Sequence, residues 1–432
     1  MHLRAASRRL AQQLCPIFSA PATLEDRNIR NLYIDTAWQG VWSGGMGTFL
    51  AVFMARLNAS SFMISAMTSI PALITILLSL PAAAYVERQH NHVRTTTIYR
   101  ILFRSTYLLV TILPFFARDQ LPLFIVIAWA VQAIPAAVVN LSWTSVIGSV
   151  ISPRRRPGVN GGRWALVSLV VAVTVIPFGK MLDAAWLPFP LNYQAVFAIS
   201  TLAMIFSIIY FDRIVMLDDY APKEPARQTL RRRAAAVLSP IAHNPDFMRY
   251  VAATFPVRLG INMPVALYSI YWVRYLGASD TLIGVRTTAG QAALVLGYYL
   301  FGRLASRHGH RGILLAASAG IGLYPIVTGL SPSAAWLVPA ALVWGFFAGG
   351  IDMSFFEGLL KTAPREHIPS YAALNTVFAN IAALAGPMLG AFLSEELGIQ
   401  TAFFVAGALH FVGVVLAWRL GVGRCEPAPQ VI

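Results

Sequence analysis

The sequence predicts an all-α polytopic membrane protein whose twelve transmembrane helices form two parallel six-helix bundles. Three observations carry this. First, apolar runs of about 20 residues recur along the whole chain, and such a run with few charges is the mark of a helix crossing a bilayer. Second, the composition agrees: of 432 residues 57% are hydrophobic and 12% charged, and the mean hydropathy is +0.63. A soluble domain carries about 25% charged residues. Third, the chain repeats itself. Leu57-Asn58-Ala59-Ser60 returns as Leu276-Gly277-Ala278-Ser279, an offset of 219 residues. At that offset Met63-Ile64 falls on Leu282-Ile283, Thr68 on Thr287 and Arg88 on Arg307. A repeat of half the chain decides the architecture before any motif does.

In order, the first half holds spans at roughly 31–55, 61–85, 97–117, 121–147, 163–182 and 193–212. The second half holds them at roughly 247–273, 281–302, 312–330, 334–360, 370–393 and 400–420. Turn chemistry separates them. The first break is Asn58-Ala59-Ser60-Ser61, and Arg118-Asp119-Gln120 divides the third span from the fourth. Leu187-Pro188-Phe189-Pro190, Ser331-Pro332-Ser333 and Gly398-Ile399-Gln400 mark later breaks. Pro71, Pro135, Pro177, Pro264 and Gly386-Pro387 fall inside spans, where neighbouring helices can satisfy the backbone groups a proline frees. The expected organisation is therefore an N-terminal segment 1–30, a bundle 31–212, a polar linker 213–246, a second bundle 247–421 and a tail 422–432. Pro222, Pro225 and Pro240 argue against one continuous helix through the linker. Six spans return the chain to the side it left, so the two copies have the same orientation.

Basic residues choose that orientation, because cytoplasmic loops carry the excess of Lys and Arg. With the N-terminus inside, 25 of the 33 Lys and Arg residues fall on cytoplasmic segments and only Arg56, Arg118, Lys180 and Arg274 on outside loops. Both termini are expected in the cytoplasm of a multi-pass plasma-membrane protein. The net charge of +15, including Arg231-Arg232-Arg233 in the linker, then serves to orient helices and meet anionic headgroups, and nucleic acid is not an expected partner. Cys15 and Cys425 fall in the cytosol and make no disulfide framework. Residues 1–30 lack an apolar core, so no cleavable signal peptide is expected.

The run Gly302-Arg303-Leu304-Ala305-Ser306-Arg307-His308-Gly309-His310-Arg311 resembles the signature loop of the major facilitator superfamily of secondary transporters, a Gly-x-Leu-Ala-Asp-Arg-x-Gly-x-Arg pattern in which Ser306 replaces the Asp. The resemblance covers nearly the whole chain. In the first half, the corresponding stretch from Pro81 to Arg94 has lost the glycines but keeps the pair Glu87-Arg88. By resemblance, Glu87 would sit against the start of the eleventh helix near Ser370, where a helix dipole favours an anion. Glu87, Arg88, Gly302, Arg307, Gly309 and Arg311 would then be gating residues; the plainer reading makes them orienting charges. Asp35 resembles an acidic position of drug-exporting members, whereas Pro177-Phe178-Gly179 keeps little of the Gly-Pro-rich motif of the exporters' fifth helix.

A charged side chain near the bilayer centre costs at least about 2.5–3.5 kcal/mol, so each one needs a partner or a water-lined face. Arg258 and Asp352 lie at depths within roughly 5 Å of each other at 1.5 Å per residue. They are expected to face the central cavity that helices 1, 4, 7 and 10 line in the resembled fold, and to pair there, either as a substrate site or as a fixed interhelical ion pair. Arg100 and Arg104 share a helix face at the depth of Asp35, and a structural pair or a proton-coupling group could result. Gln39, Trp42, Gln132, Asn140 and Asn262 are polar or amphipathic candidates for a small-molecule cavity, or for interhelical hydrogen bonding. Gly345 and Gly349 make a small-xxx-small packing face.

His90-x-His92 and His308-x-His310 have no cysteine or acidic cluster to complete a metal site. No phosphate loop, zinc-protease pattern or nucleophile elbow occurs. No catalytic residue, metal or cofactor is expected, and energy must come from an ion gradient. The function these readings converge on is secondary active transport of a small organic solute by alternating access, coupled to protons, monomeric, and directed towards efflux. Uptake of a metabolite or sugar, and a non-transporting sensor or assembly protein of the same fold, stay open.

Overall fold

Helices alone, with no strand, make up the described part of the chain, which in this computed structural model is residue 17 and residues 21–116, 120–184, 187–216, 244–308, 310–364 and 368–423. The linker 217–243, Gly309 and the tail from 424 lie outside the described residues. In chain order the helices are α1 (Leu24–Trp42, carried through a wide turn at Ser43–Gly47 into Thr48–Arg56), α2 (Ser61–Val86), α3 (His92–Ile112), α4 (Leu121–Val150), α5 (Arg156–Asp183) and α6 (Leu191–Asp212). The second series is α7 (Pro245–Asn262, continued by Val265–Ile270 and a wide turn at Tyr271–Tyr275), α8 (Asp280–His308), α9 (His310–Gly329), α10 (Leu337–Thr362), α11 (Ile368–Leu397) and α12 (Ile399–Arg419). Among the described residues nine of these are long and apolar enough to cross a membrane. The three that fall short, α1, α7 and α8, are the interrupted or more polar ones, and polar residues in a spanning helix mark functional positions.

The helix starts are chemically specified. Thr23 caps α1 in a reciprocal capping box with Asp26. Asn91 caps α3 by accepting from the Arg94 N–H at 2.9 Å. Arg155, in the turn before α5, pairs with both Glu25 (3.3 Å) and Asp26 (2.8 Å) at the start of α1. The Ser152 N–H donating to Glu25, then Arg155 beside it, hold the Glu25 carboxyl below its usual range.

The repeat is visible in where the helices break. The wide turn Ser43–Gly47 in α1 and the break at Asn262-Met263-Pro264 in α7 stand at the same 219-residue offset. Each is re-satisfied locally. In α1 the Thr48 hydroxyl donates to the Ser43 carbonyl at 2.7 Å, and Ser200 accepts from the Met46 N–H at 3.0 Å. In α7 Pro264 withholds an N–H, and Asn262 Nδ2 donates to the Arg258 carbonyl at 2.8 Å.

The signature run belongs to a helix more than to a loop. Gly302 to His308 form the last turns of α8, and α9 begins at His310. Hydropathy marks where the apolar slab ends, while a helix continues past it as long as its residues favour helix. Gly302 therefore sits within α8.

The described residues divide into two compact units, one drawn from 1–59, 74–227 and 279–288, the other from 60–73, 228–278 and 289–432. In the first, α1 lies close against α5 and α6: a methyl group at Gly40 would fall 2.6 Å from Val170 Cβ, and one at Gly45 would collide with the Ser200 hydroxyl. In the second, α8 and α10 touch backbone to backbone. A methyl at Gly345 would collide with the Gly290 carbonyl, and one at Gly349 would lie 2.8 Å from the Tyr298 nitrogen. With lipid tails as apolar as leucine, such close approach is what holds membrane helices together. Gly345→Val is expected to destabilise by about 1–3 kcal/mol through overpacking, read as a lower melting temperature of the purified protein. Gly148→Ala on α4, where an added methyl meets nothing within 4 Å, should leave it unchanged.

Candidate functional site

Charged side chains lie within spans of both units, and they are held differently. In the first unit Asp35 of α1 is completely buried. Its Oδ1 meets Arg100 Nη1 of α3 at 3.0 Å and accepts a short hydrogen bond from the Ser207 hydroxyl of α6. Its Oδ2 accepts from Gln39 Nε2 at 3.0 Å, one helical turn on. Arg104 donates to Ser207 Oγ (2.8 Å) and to the Met204 carbonyl (3.2 Å) instead of to the carboxylate. Aromatic faces cover the cations: Arg100 stands 3.9 Å from the Phe211 ring centroid, and Arg163, whose Nε donates to Thr36 at 2.8 Å, stands 4.4 Å from that of Trp143. Both carboxylate oxygens are occupied. The spacing of Arg100 and Arg104 on α3 located this cluster; Ser207 and Arg163 gave no sequence signal, because only packing brings α5 and α6 alongside.

The second unit departs from expectation. Equal depth predicts that Arg258 and Asp352 pair, and they do not. Arg258 Nη2 of α7 donates to Asn375 Oδ1 of α11 at 3.0 Å, with its guanidinium 4.4 Å from the Phe355 ring centroid. Asp352 of α10 accepts from the Tyr298 hydroxyl of α8 at 2.6 Å. The side chains leave their helices in different directions, one towards α11 and the other towards α8, which depth cannot specify. Asp352 is exposed, and among the described residues no cation lies within ion-pairing distance of it. Tyr298 and Asn375 were missed. The glycines that seat α8 on α10 were the available signal for Tyr298, since Gly349 packs on its backbone.

The other polar candidates separate. Trp42 leans on Tyr107, ring centroids 5.0 Å apart. Gln132 is buried in α4, while Asn140 on the same helix is exposed. Asn262 works on the backbone of α7, and Gly386 of α11 packs on it, a methyl there falling 2.9 Å from Asn262 Cβ. Glu87 and Arg88 are exposed at the end of α2. Arg311 Nη2 donates to the Trp418 carbonyl near the end of α12 at 3.1 Å. Arg307 lies in the last turn of α8, and Gly309 lies outside the described residues.

A third polar group was not anticipated. Arg56, at the end of α1, pairs with Asp280 Oδ1 at 3.1 Å and donates from Nε to Tyr193 Oη at 2.8 Å. Tyr193 in turn donates to Asp280 at 2.7 Å. Asp183 at the end of α5 accepts from the backbone N–H groups of Asp280 (2.9 Å) and Thr281 (2.7 Å), capping α8 from another helix. The sequence places Arg56 only as one of four basic residues on outside loops, and the fold brings Asp280 to it.

A family model described as Major Facilitator Superfamily matches residues 40–257 and again 250–430. An uncharacterized MFS-type transporter of Bacillus subtilis, YuxJ, is 24% identical over 216 residues, covering 49% of this chain and 55% of that protein. A multi-drug resistance efflux pump PmrA homolog of Lactococcus lactis is 32% identical over 119 residues, 27% of this chain and 29% of that protein. The chain thus spans about half of the first relative and under a third of the second. Among solved structures, a POT family transporter in complex with a thioalcohol-conjugated peptide superposes with TM-score 0.71 at 14% identity, over 91% of this chain and 96% of that one. The nucleoside transporter NupG gives TM-score 0.68 at 13% identity, over 92% and 99%. Those two likenesses concern the fold.

The Asp35 centre makes a stability prediction. Asp35→Ala alone strands the buried Arg100 guanidinium and is expected to cost about 3–5 kcal/mol. Asp35→Leu combined with Arg100→Met should recover most of it, read from melting temperatures of the single and double variants.

Proposed function

The chain belongs to the major facilitator superfamily, and we propose that it exports a small organic solute across the plasma membrane in exchange for protons. The two six-helix repeats, 31–212 and 247–421, expose the site alternately to either side. Both termini face the cytoplasm in this reading, supported by the 25 Lys and Arg residues on one set of loops. The transporter works as a monomer and needs no cofactor, since the ion gradient drives it.

One observation carries the reading. Among the described residues Asp352 holds a carboxylate within a span with a single neutral hydroxyl, that of Tyr298, as its hydrogen-bond partner, whereas Asp35 has both oxygens engaged and an arginine opposite. An intramembrane carboxylate without a counter-cation is a group that takes up a proton or a cationic solute. Asp352 is therefore the coupling residue: protonation releases the solute, and deprotonation readies the site. Asp35 and Arg100 position α1 against α3, and Gln39 supports that pair through its hydrogen bond to Asp35. Arg258, held by Asn375, contributes a polarising charge, with Trp42, Gln132, Asn140 and Asn262 as lining groups. Glu87 and Arg88 at the end of α2, Arg307 in the last turn of α8 and Arg311 in the first turn of α9 act as gates. The efflux direction is supported by relatives whose names are those of drug exporters, including a multidrug resistance protein of Yersinia enterocolitica that is 28% identical over 121 residues.

The test is flux in proteoliposomes against a panel of organic solutes, with and without a pH gradient. At least one solute should accumulate only when the gradient is imposed. Asp352→Asn should lower that uphill flux by roughly tenfold or more, as loss of an intramembrane coupling charge requires, while leaving the melting temperature unchanged. Uphill flux at the normal rate in Asp352→Asn would remove the coupling role; gradient-independent flux in the unaltered protein would remove proton exchange.

A further inference from the structure

One end of the second unit holds a cavity of about 540 Å³ whose lining contains none of the residues assigned to transport above. It is framed by the first turn of α7 (Asp246, Arg249), the last turn of α10 (Lys361, Thr362), Arg419 at the end of α12, and the turn 420–423 that follows. Three basic side chains thus converge from three helices on one space that, among the described residues, contains one acid. The acid is committed, since Arg249 Nη1 meets Asp246 Oδ1 at 3.1 Å. Among the described residues neither Lys361 nor Arg419 has a carboxylate within ion-pairing distance.

The wall is a specified structure. Gly421 and Gly423 have φ of +69° and +76°, the left-handed region that glycine enters without penalty. The two glycines turn the chain back so that Val422 is buried against the core that includes Phe247, Tyr250 and Leu359. Behind the turn, Gly423 packs on Arg311, which is tied to the Trp418 carbonyl. Asn244, just before α7, donates to the Thr362 carbonyl at 2.9 Å and to the Tyr371 hydroxyl at 3.1 Å, fixing α7 to α10 and α11.

Cations in last helical turns also complement the helix dipole and orient a membrane protein. Neither role requires them to meet around a shared cavity. We propose that this cavity binds the phosphate of an anionic ligand, with Lys361 and Arg419 as its charged contacts. An acidic phospholipid headgroup and a free phosphate both offer that chemistry. Basic pockets between helix ends on the cytoplasmic side suit anionic headgroups. Leu420 lines the cavity, and Trp418 beside it is 60% exposed, a side chain of the kind that suits the headgroup region.

The experiment measures binding of phosphatidylglycerol and phosphatidylcholine to the purified full-length protein in detergent, and of inorganic phosphate in a lipid-free sample. The variants are Lys361→Gln with Arg419→Gln, and Arg94→Gln, which removes an exposed charge on α3. Preference for phosphatidylglycerol over phosphatidylcholine by about tenfold, lost in the double variant and kept in Arg94→Gln, supports the site and identifies a lipid headgroup. Saturable phosphate binding with the same dependence supports the site and identifies a free anion. No preference for either anion overturns the proposal, as does equal weakening by Arg94→Gln, which would mean diffuse surface charge. Melting temperatures of all variants establish that each is folded.

Discussion

Water is missing from the hydrocarbon of a bilayer, and the rest of this structure follows from that. Every charge and every backbone polar group inside a span must be satisfied by the protein itself. Asp35 shows the constraint fully met: Arg100, Ser207 and Gln39 take both oxygens, and Phe211 covers the cation's face. Asp352 shows it met with one neutral hydroxyl. The same requirement thus separates a carboxylate that ties three helices together from one held by a single neutral hydroxyl among the described residues.

The constraint also governs where helices can bend. In both repeats the first helix breaks at the same place, and in both the exposed backbone finds a donor or acceptor nearby: Thr48 of α1 and Ser200 of α6 for α1, Asn262 for α7. Such interruptions are tolerated where packed neighbours re-satisfy the freed groups, and wide turns in helices gather at functional sites. Both sit on helices that carry polar candidates, so bending and polarity share positions. Glycine does the complementary work. At Gly345 and Gly349 it lets α10 reach the backbone of α8, and that contact is what puts Tyr298 beside Asp352.

Much of the fold was legible in the chain because hydropathy is a one-dimensional property. A run of apolar residues needs no partner to declare that it crosses a membrane, and a repeat offset needs no coordinates. The signature run at Gly302 likewise carried the family. Its secondary structure was less legible, since Arg303, Leu304 and Ala305 favour helix beyond the apolar slab and α8 absorbs what looked like a loop. The Arg100–Asp35 pair was within reach, as helical spacing and depth agree. The Arg56–Asp280–Tyr193 network was not, because its members are distant in sequence and each alone resembles an ordinary helix-end residue.

What the sequence by itself determined is the helical membrane fold, the order of its helices and the identity of the repeat. Those are set by order along the chain and by the hydrophobic cost of leaving a residue in the wrong phase. What only the tertiary structure decided is azimuth, the direction in which each side chain leaves its helix. Arg258 and Asp352 have the same expected depth, yet one turns to Asn375 and the other to Tyr298. Helix rotation is set by the packing of neighbours, through contacts such as Gly345 on Gly290, and no local property of the chain encodes it.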